Sequence, residues 1–110
     1  MDKIVRVLVA EDSPLFAEVI CSLLEQDSTF QMVGIAANGR QAVELSEKLR
    51  PNVITMDIHM PVMGGLEAIE LIMDATPTPI LVVTGDPRAS GPANGRGYEE
   101  LHFEALRRGA

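Results

Sequence analysis

The sequence predicts an α/β fold built on a doubly wound parallel sheet, and three observations carry that prediction. Short apolar runs rich in β-branched residues recur at Ile4–Ala10, Met32–Ala36, Val53–Met56 and Ile80–Thr84. Strands apolar on both faces belong in a parallel sheet covered on both sides. The segments between them repeat apolar residues at helical spacing, giving a strand–helix alternation. Polar residues capable of chemistry stand where the runs stop: Glu11-Asp12 after the first, Asp57 after the third and Thr84 at the end of the fourth.

After the first strand, Ser13-Pro14 supplies an N-cap and a first-turn proline. Leu15, Phe16, Val19, Ile20, Leu23 and Leu24 then define a helix to about Gln26. Asn38-Gly39 marks the turn after the second strand. The next helix, Arg40–Leu49, carries Ala42, Leu45, Ser46 and Leu49 on one face and stops before Pro51. Leu66, Ile69, Ile72 and Met73 mark a third helix, and Pro77-Thr78-Pro79 leads into the fourth strand. Gly85–Gly97 has the composition of a mobile loop, and Tyr98–Arg108 resumes a helical pattern through Leu101, Ala105 and Leu106. The rhythm calls for a fifth strand and a last helix after Ala110, so the chain, a single domain over 1–110, reads as C-terminally incomplete. On that reading the fourth strand is an open sheet edge, which invites a homodimer through strand pairing.

Bulk properties narrow the function. A chain of 110 residues, 46% hydrophobic and 23% charged, suits one soluble domain with its own core. Its formal charge of −7 disfavours nucleic acid and anionic lipid and favours cations or basic partners. The one cysteine, Cys21, rules out an internal disulfide framework and reads as inert helix packing in a reducing cytoplasm. No segment has the layout of a signal peptide or the length of a membrane span.

In an open parallel sheet, ligands gather at the carboxyl ends of the strands. If the first, third and fourth strands are neighbours, Glu11, Asp12, Asp57 and Thr84 share one pocket. Two like charges at 4 Å cost about 4 kcal/mol at a surface-like dielectric, so such a pocket calls for a proton or a cation. Hard oxygen ligands suit Mg²⁺. A carboxylate beside Mg²⁺ can attack phosphorus and form an acyl phosphate, and Asp57, alone at the end of its strand, is best placed for it. The Thr84 hydroxyl could bond a phosphoryl oxygen, with the small Gly85 leaving room. Asp57 alone would read as a solvated strand end, Glu11-Asp12 as acids near a helix start, and Thr84 as an ordinary strand residue. The convergence of all four is what favours the chemical reading.

These motifs together resemble the receiver domain of two-component response regulators, which has a flavodoxin-like fold. The matching parts are Glu11-Asp12, Asp57 with Met60-Pro61, Gly65 before the next helix, and Thr84-Gly85. The phrases VITMDIHMPVMGGLEAIELIM and PTPILVV are most similar to the N-terminal receivers of chemotaxis protein-glutamate methylesterases. The resemblance implies Asp57 as phosphoacceptor from a histidine kinase and Thr84 as the switch residue. It also implies Mg²⁺ held by Asp12, Asp57 and the backbone carbonyl of His59, with Glu11 helping directly or through water, in a cytoplasmic chemotaxis phosphorelay.

The partners it implies are that kinase and an effector domain, with no nucleic acid or membrane bound through this domain. The family's lysine and fifth-strand aromatic have no counterpart up to Ala110, so the resemblance implies Mg²⁺ binding with poor uptake or retention of phosphate. The His59 side chain reads as a surface group and His102 as exposed. No G-x-S-x-G motif is present, so the chain as given is not expected to be the hydrolase. The alternative is a Mg²⁺-dependent phosphatase or phosphotransferase acting on a small substrate through an aspartyl phosphate. Such enzymes commonly carry an acid two residues after the nucleophile, where this chain has His59.

Overall fold

The computed structural model describes residues 3–84 and 102–106. In chain order it contains β1 (Val5–Ala10), α1 (Pro14–Glu25), β2 (Phe30–Ala36), α2 (Gly39–Leu49), β3 (Val53–Met56), α3 (Gly65–Ala75), β4 (Ile80–Thr84) and β5 (His102–Leu106). The strands form one sheet in the order β2-β1-β3-β4-β5. The first four are parallel, as the doubly wound reading requires, and β1, β3 and β4 are neighbours.

Local chemistry sets the helix ends. The Phe16 amide donates to Ser13 Oγ at 3.2 Å, with Pro14 in the first turn of α1. At the start of α2 the Gln41 amide donates to Asn38 Oδ1 at 2.9 Å. That helix ends on Arg50, in the left-handed region at φ 51, just before the buried Pro51. Below it, the Arg6 amide donates to Asn52 Oδ1 and the Arg6 guanidinium to the Arg50 carbonyl, tying the end of α2 to β1.

Two apolar layers sandwich the sheet. Leu8 and Ala10 of β1, Ile54 and Met56 of β3, and Ile80 and Val82 of β4 pack against Ala42 of α2 and Ala68, Ile69, Ile72 and Met73 of α3. On the opposite face Val7, Val9 and Val83 pack against Ala17 and Ile20 of α1. The even and odd residues of β1 thus serve opposite layers, the period-two signature of a strand covered on both sides. In β2 a one-residue irregularity keeps this in phase. Met32 pairs with Val7, Gly34 pairs with Leu8, and Val33 is the extra residue. Met32 therefore faces the α1 layer, whereas Gly34 lies against Leu8 and Leu49 on the other side.

Two expectations are corrected at the fourth strand. His102–Leu106, expected within a helix over Tyr98–Arg108, forms a strand antiparallel to β4, with Ile80 opposite Leu106 and Thr84 opposite His102. The main-chain partners that an unpaired strand edge offers outweigh the helical period read from Leu101, Ala105 and Leu106. The outer edge of β4 is therefore occupied, and the homodimer expected through it loses the open edge on which it rested. The loop expected over Gly85–Gly97 lies outside the described residues. Among the described residues no helix is long and apolar enough to cross a membrane.

Candidate functional site

The strand register builds the site. Val9 lies beside Thr55 and Ala10 beside Met56, so the next step along both chains sets Glu11 beside Asp57. Backbone bonds hold both residues in place: the Asp57 amide donates to the Ala10 carbonyl at 3.0 Å, and the Glu11 amide to the Ala36 carbonyl at 2.8 Å. Their side chains continue the odd-numbered rows Val7-Val9 and Val53-Thr55 beyond the apolar layer. Like charges at such lateral positions repel. Asp12, exposed at the rim, completes the group, and one carboxylate oxygen from each of Glu11, Asp12 and Asp57 lies within 4.8 Å of the others.

Burial makes this acidic cluster costly. Glu11 is 4% exposed and Asp57 8% exposed. Desolvation pushes the Glu11 carboxyl up to about 8, against the pull of the Ser13 amide and with added repulsion from Asp57 and Asp12. The Asp57 carboxyl is also raised by burial. The His59 amide and imidazole pull it back, while the charge of Asp12 pushes it further up. The Ser13 amide donates to Glu11 Oε2 at 3.0 Å, and the other oxygen, Glu11 Oε1, is buried with no hydrogen-bond partner. Three clustered carboxylates, one of them with a buried, unpartnered oxygen, are a donor set fitted to a hard divalent cation.

The segment after Asp57 is shaped by close backbone packing. The His59 amide makes a long contact with Asp57 Oδ1 at 3.4 Å. Met63 donates its amide to the Pro61 carbonyl at 2.7 Å across Val62, whose φ is 70. This is the γ-turn arrangement, strained for a β-branched residue. Gly65 then donates to the Ile58 carbonyl at 2.8 Å. A Cβ on Gly65 would stand 2.8 Å from Ile58 Cα and 3.0 Å from the Asp57 carbonyl carbon, so only glycine lets α3 begin against the backbone of Asp57.

The structure brings Glu11, Asp12 and Asp57 together as the sequence predicts, and His59 follows on the same loop. Thr84 ends β4, the strand beside β3. Two residues of this region were not singled out from the sequence: Gly39, whose amide donates to the Met63 carbonyl, and Val62, with its positive φ. Gly39 read only as part of a turn, and Val62 had no role at all; a glycine contact made with backbone leaves no side-chain pattern to read.

Comparison with known proteins agrees with this geometry. The model of the response regulator receiver domain matches residues 7–92. A protein-glutamate methylesterase/protein-glutamine glutaminase of Alkalilimnicola ehrlichii is 55% identical over 71% of this chain and 20% of its own length. One from Anaeromyxobacter dehalogenans is 45% identical over 96% of this chain and 29% of its own length. The chain thus spans between a fifth and a third of the length of these two relatives. The crystal structure of the response regulator domain of Thermotoga maritima CheB superposes with a TM-score of 0.75 at 34% identity, covering 88% of this chain and 72% of that one. With the motif residues gathered at the carboxyl edge of a parallel sheet, the chain belongs to the response regulator receiver domain family.

Proposed function

We propose that this receiver takes a phosphoryl group on Asp57 from a phosphohistidine of a partner kinase. The observation that carries the reading is the convergence of Glu11, Asp12 and Asp57 around a buried carboxylate oxygen that has no hydrogen-bond partner. Glu11, Asp12, Asp57 and the His59 backbone carbonyl would hold Mg²⁺. When bound, the ion offsets the negative charge of the phosphoryl oxygens.

The chain's own residues do the rest. An Asp57 carboxylate oxygen attacks phosphorus, a P–O bond forms, and the P–N bond breaks with its electron pair leaving on the imidazole nitrogen. The metal-free pocket favours a proton on Glu11, and ionisation of that group readies the site for the cation. The short β3–α3 loop holds Asp57 at the mouth of the sheet, and the Thr84 hydroxyl, at the end of β4, bonds the transferred group and signals outward. The likeness to methylesterase receivers supports a chemotaxis role in the cytoplasm, with phosphorylation controlling a methylesterase effector domain.

Incubation with acetyl phosphate and Mg²⁺ tests the assignment. The label taken up should be hydroxylamine-labile, should require Mg²⁺, and should vanish in Asp57→Asn. Label that forms without Mg²⁺, or label that persists in the variant, overturns the assignment.

A further inference from the structure

The geometry points to Gly39, at the start of α2, as a positioning residue for the phosphoacceptor loop, acting across the fold on the far end of the β3–α3 connection. The inference rests on the proposed role of that loop. The Gly39 amide donates to the Met63 carbonyl at 2.8 Å. A Cβ on Gly39 would stand 2.8 Å from the Met63 carbonyl carbon and 3.0 Å from the Gly64 oxygen, and closer still to the Met63 oxygen. All three are backbone atoms, so no side-chain rotation relieves the crowding.

The loop from Asp57 to α3 therefore has two anchors. Gly65 holds its near end against Asp57 and Ile58, as described above. Gly39 holds the turn beyond Val62, whose φ of 70 is an unfavourable conformation for a β-branched residue and needs external support. The Asn38 side chain fixes the direction of the Gly39 amide by capping α2, and the Ala37 amide donates to Gln41 Oε1 at 2.8 Å to close the same turn. A side chain at position 39 must push the Met63–Gly64 backbone away. Because the loop is short and pinned at Gly65, that displacement is passed back toward Ile58 and His59, next to Asp57.

Gly34 provides the control. A Cβ there meets only the ends of flexible side chains, Leu49 Cδ1 at 3.0 Å and Leu8 Cδ1 at 3.4 Å. Gly34→Ala thus crowds the interior without touching the loop.

The experiment compares Gly39→Ala, Gly34→Ala and the wild type by amide chemical shifts without metal and by Mg²⁺ titration. Gly39→Ala should move the amides of residues 58–65 and weaken Mg²⁺ binding about tenfold, as loss of support behind metal ligands does. Gly34→Ala should leave those amides in place and hold Mg²⁺ affinity within about twofold. A folded Gly39→Ala with unshifted loop amides overturns the inference, as does an equal loop shift in Gly34→Ala. If Gly39→Ala fails to fold, the wild type decides. A scalar coupling across the Gly39 amide and Met63 carbonyl, with slow exchange of that amide, supports the clamp, and its absence refutes it. The metal-free shifts judge the clamp alone, so a wild type that binds no Mg²⁺ would refute the proposed function and not this inference.

Discussion

The two faces of the sheet are built differently. Among the described residues, the layer between the sheet and α2 and α3 holds twelve buried apolar residues, and the layer between the sheet and α1 holds five. The outer ridge of α1 also leaves Leu15, Val19 and Leu23 exposed, at 72%, 42% and 50%. The α2–α3 face supplies the scaffold, since Gly39 and Gly65, both packed on the backbone of the β3–α3 loop, lie at the starts of its two helices. The α1 face carries the acids. Its strand rows run Val7, Val9, Glu11 and Val53, Thr55, Asp57, from apolar to polar to acidic as they leave the core. Even within the layer, Thr55 Oγ1 is buried with no hydrogen-bond partner. The lesson is a division of labour: the α2–α3 side holds the loop, while the α1 side bears the cost of gathering charge.

That contrast can be broken by matched truncations. Ile72→Ala in α3, at a site 1% exposed, should cost about 3–4 kcal/mol, and Ile20→Ala in α1, at 6%, about 2 kcal/mol. Denaturant midpoints for the two would show it, and equal losses would mean that the faces are equally well packed.

Titration sharpens the α1 side. In the folded chain Glu11 keeps its proton to about 8, whereas the unfolded group ionises near 4.5. The folded state then binds more protons across that window, so metal-free stability should fall as pH rises from about 4.5 through about 8 and level off above. Saturating Mg²⁺ should flatten the fall, and Mg²⁺ affinity should rise by up to about tenfold per pH unit as the competing proton is lost. Stability that rises with pH through this window would contradict the burial argument.

The smallest effect is expected in the loop. Val62→Gly should stabilise the protein by about 1 kcal/mol at most, because glycine meets φ 70 without strain while loosening the unfolded chain. A loss of stability on thermal melting would show that the exposed Val62 side chain contributes more than its backbone costs.

Much of this was legible in the sequence, for reasons visible residue by residue. β1, β3 and β4 stood out because burial on both faces demands unbroken apolar runs. β2 showed only from Met32, because the exposed Gln31 separates Phe30 from the rest of the strand. The acids could be placed together from strand order alone, since parallel crossovers bring strand ends to one edge. The antiparallel β5 was hidden, because a five-residue segment takes its conformation from the strand beside it. Gly39 was hidden for the opposite reason, as its role is to lack a side chain.

The irregularity at Val33 has a consequence for how this chain tolerates change in length. A strand between two layers has two reading frames, one for each face, and Val33 is where β2 passes from one to the other. Deleting it would leave Met32 beside Val7 and Gly34 beside Leu8 in plain alternation, whereas pairing Val33 itself with Leu8 would put Gly34 and Ala36 in the frame of the α1 layer and carry the following chain on by about 3.3 Å. That pairing would turn Ala36 out of the layer it now fills and shift Asn38 and Gly39 relative to Met63. A residue left unpaired on the remote edge of the sheet thus keeps β2 in the frame in which the β3–α3 loop is held, and the strand should tolerate its loss.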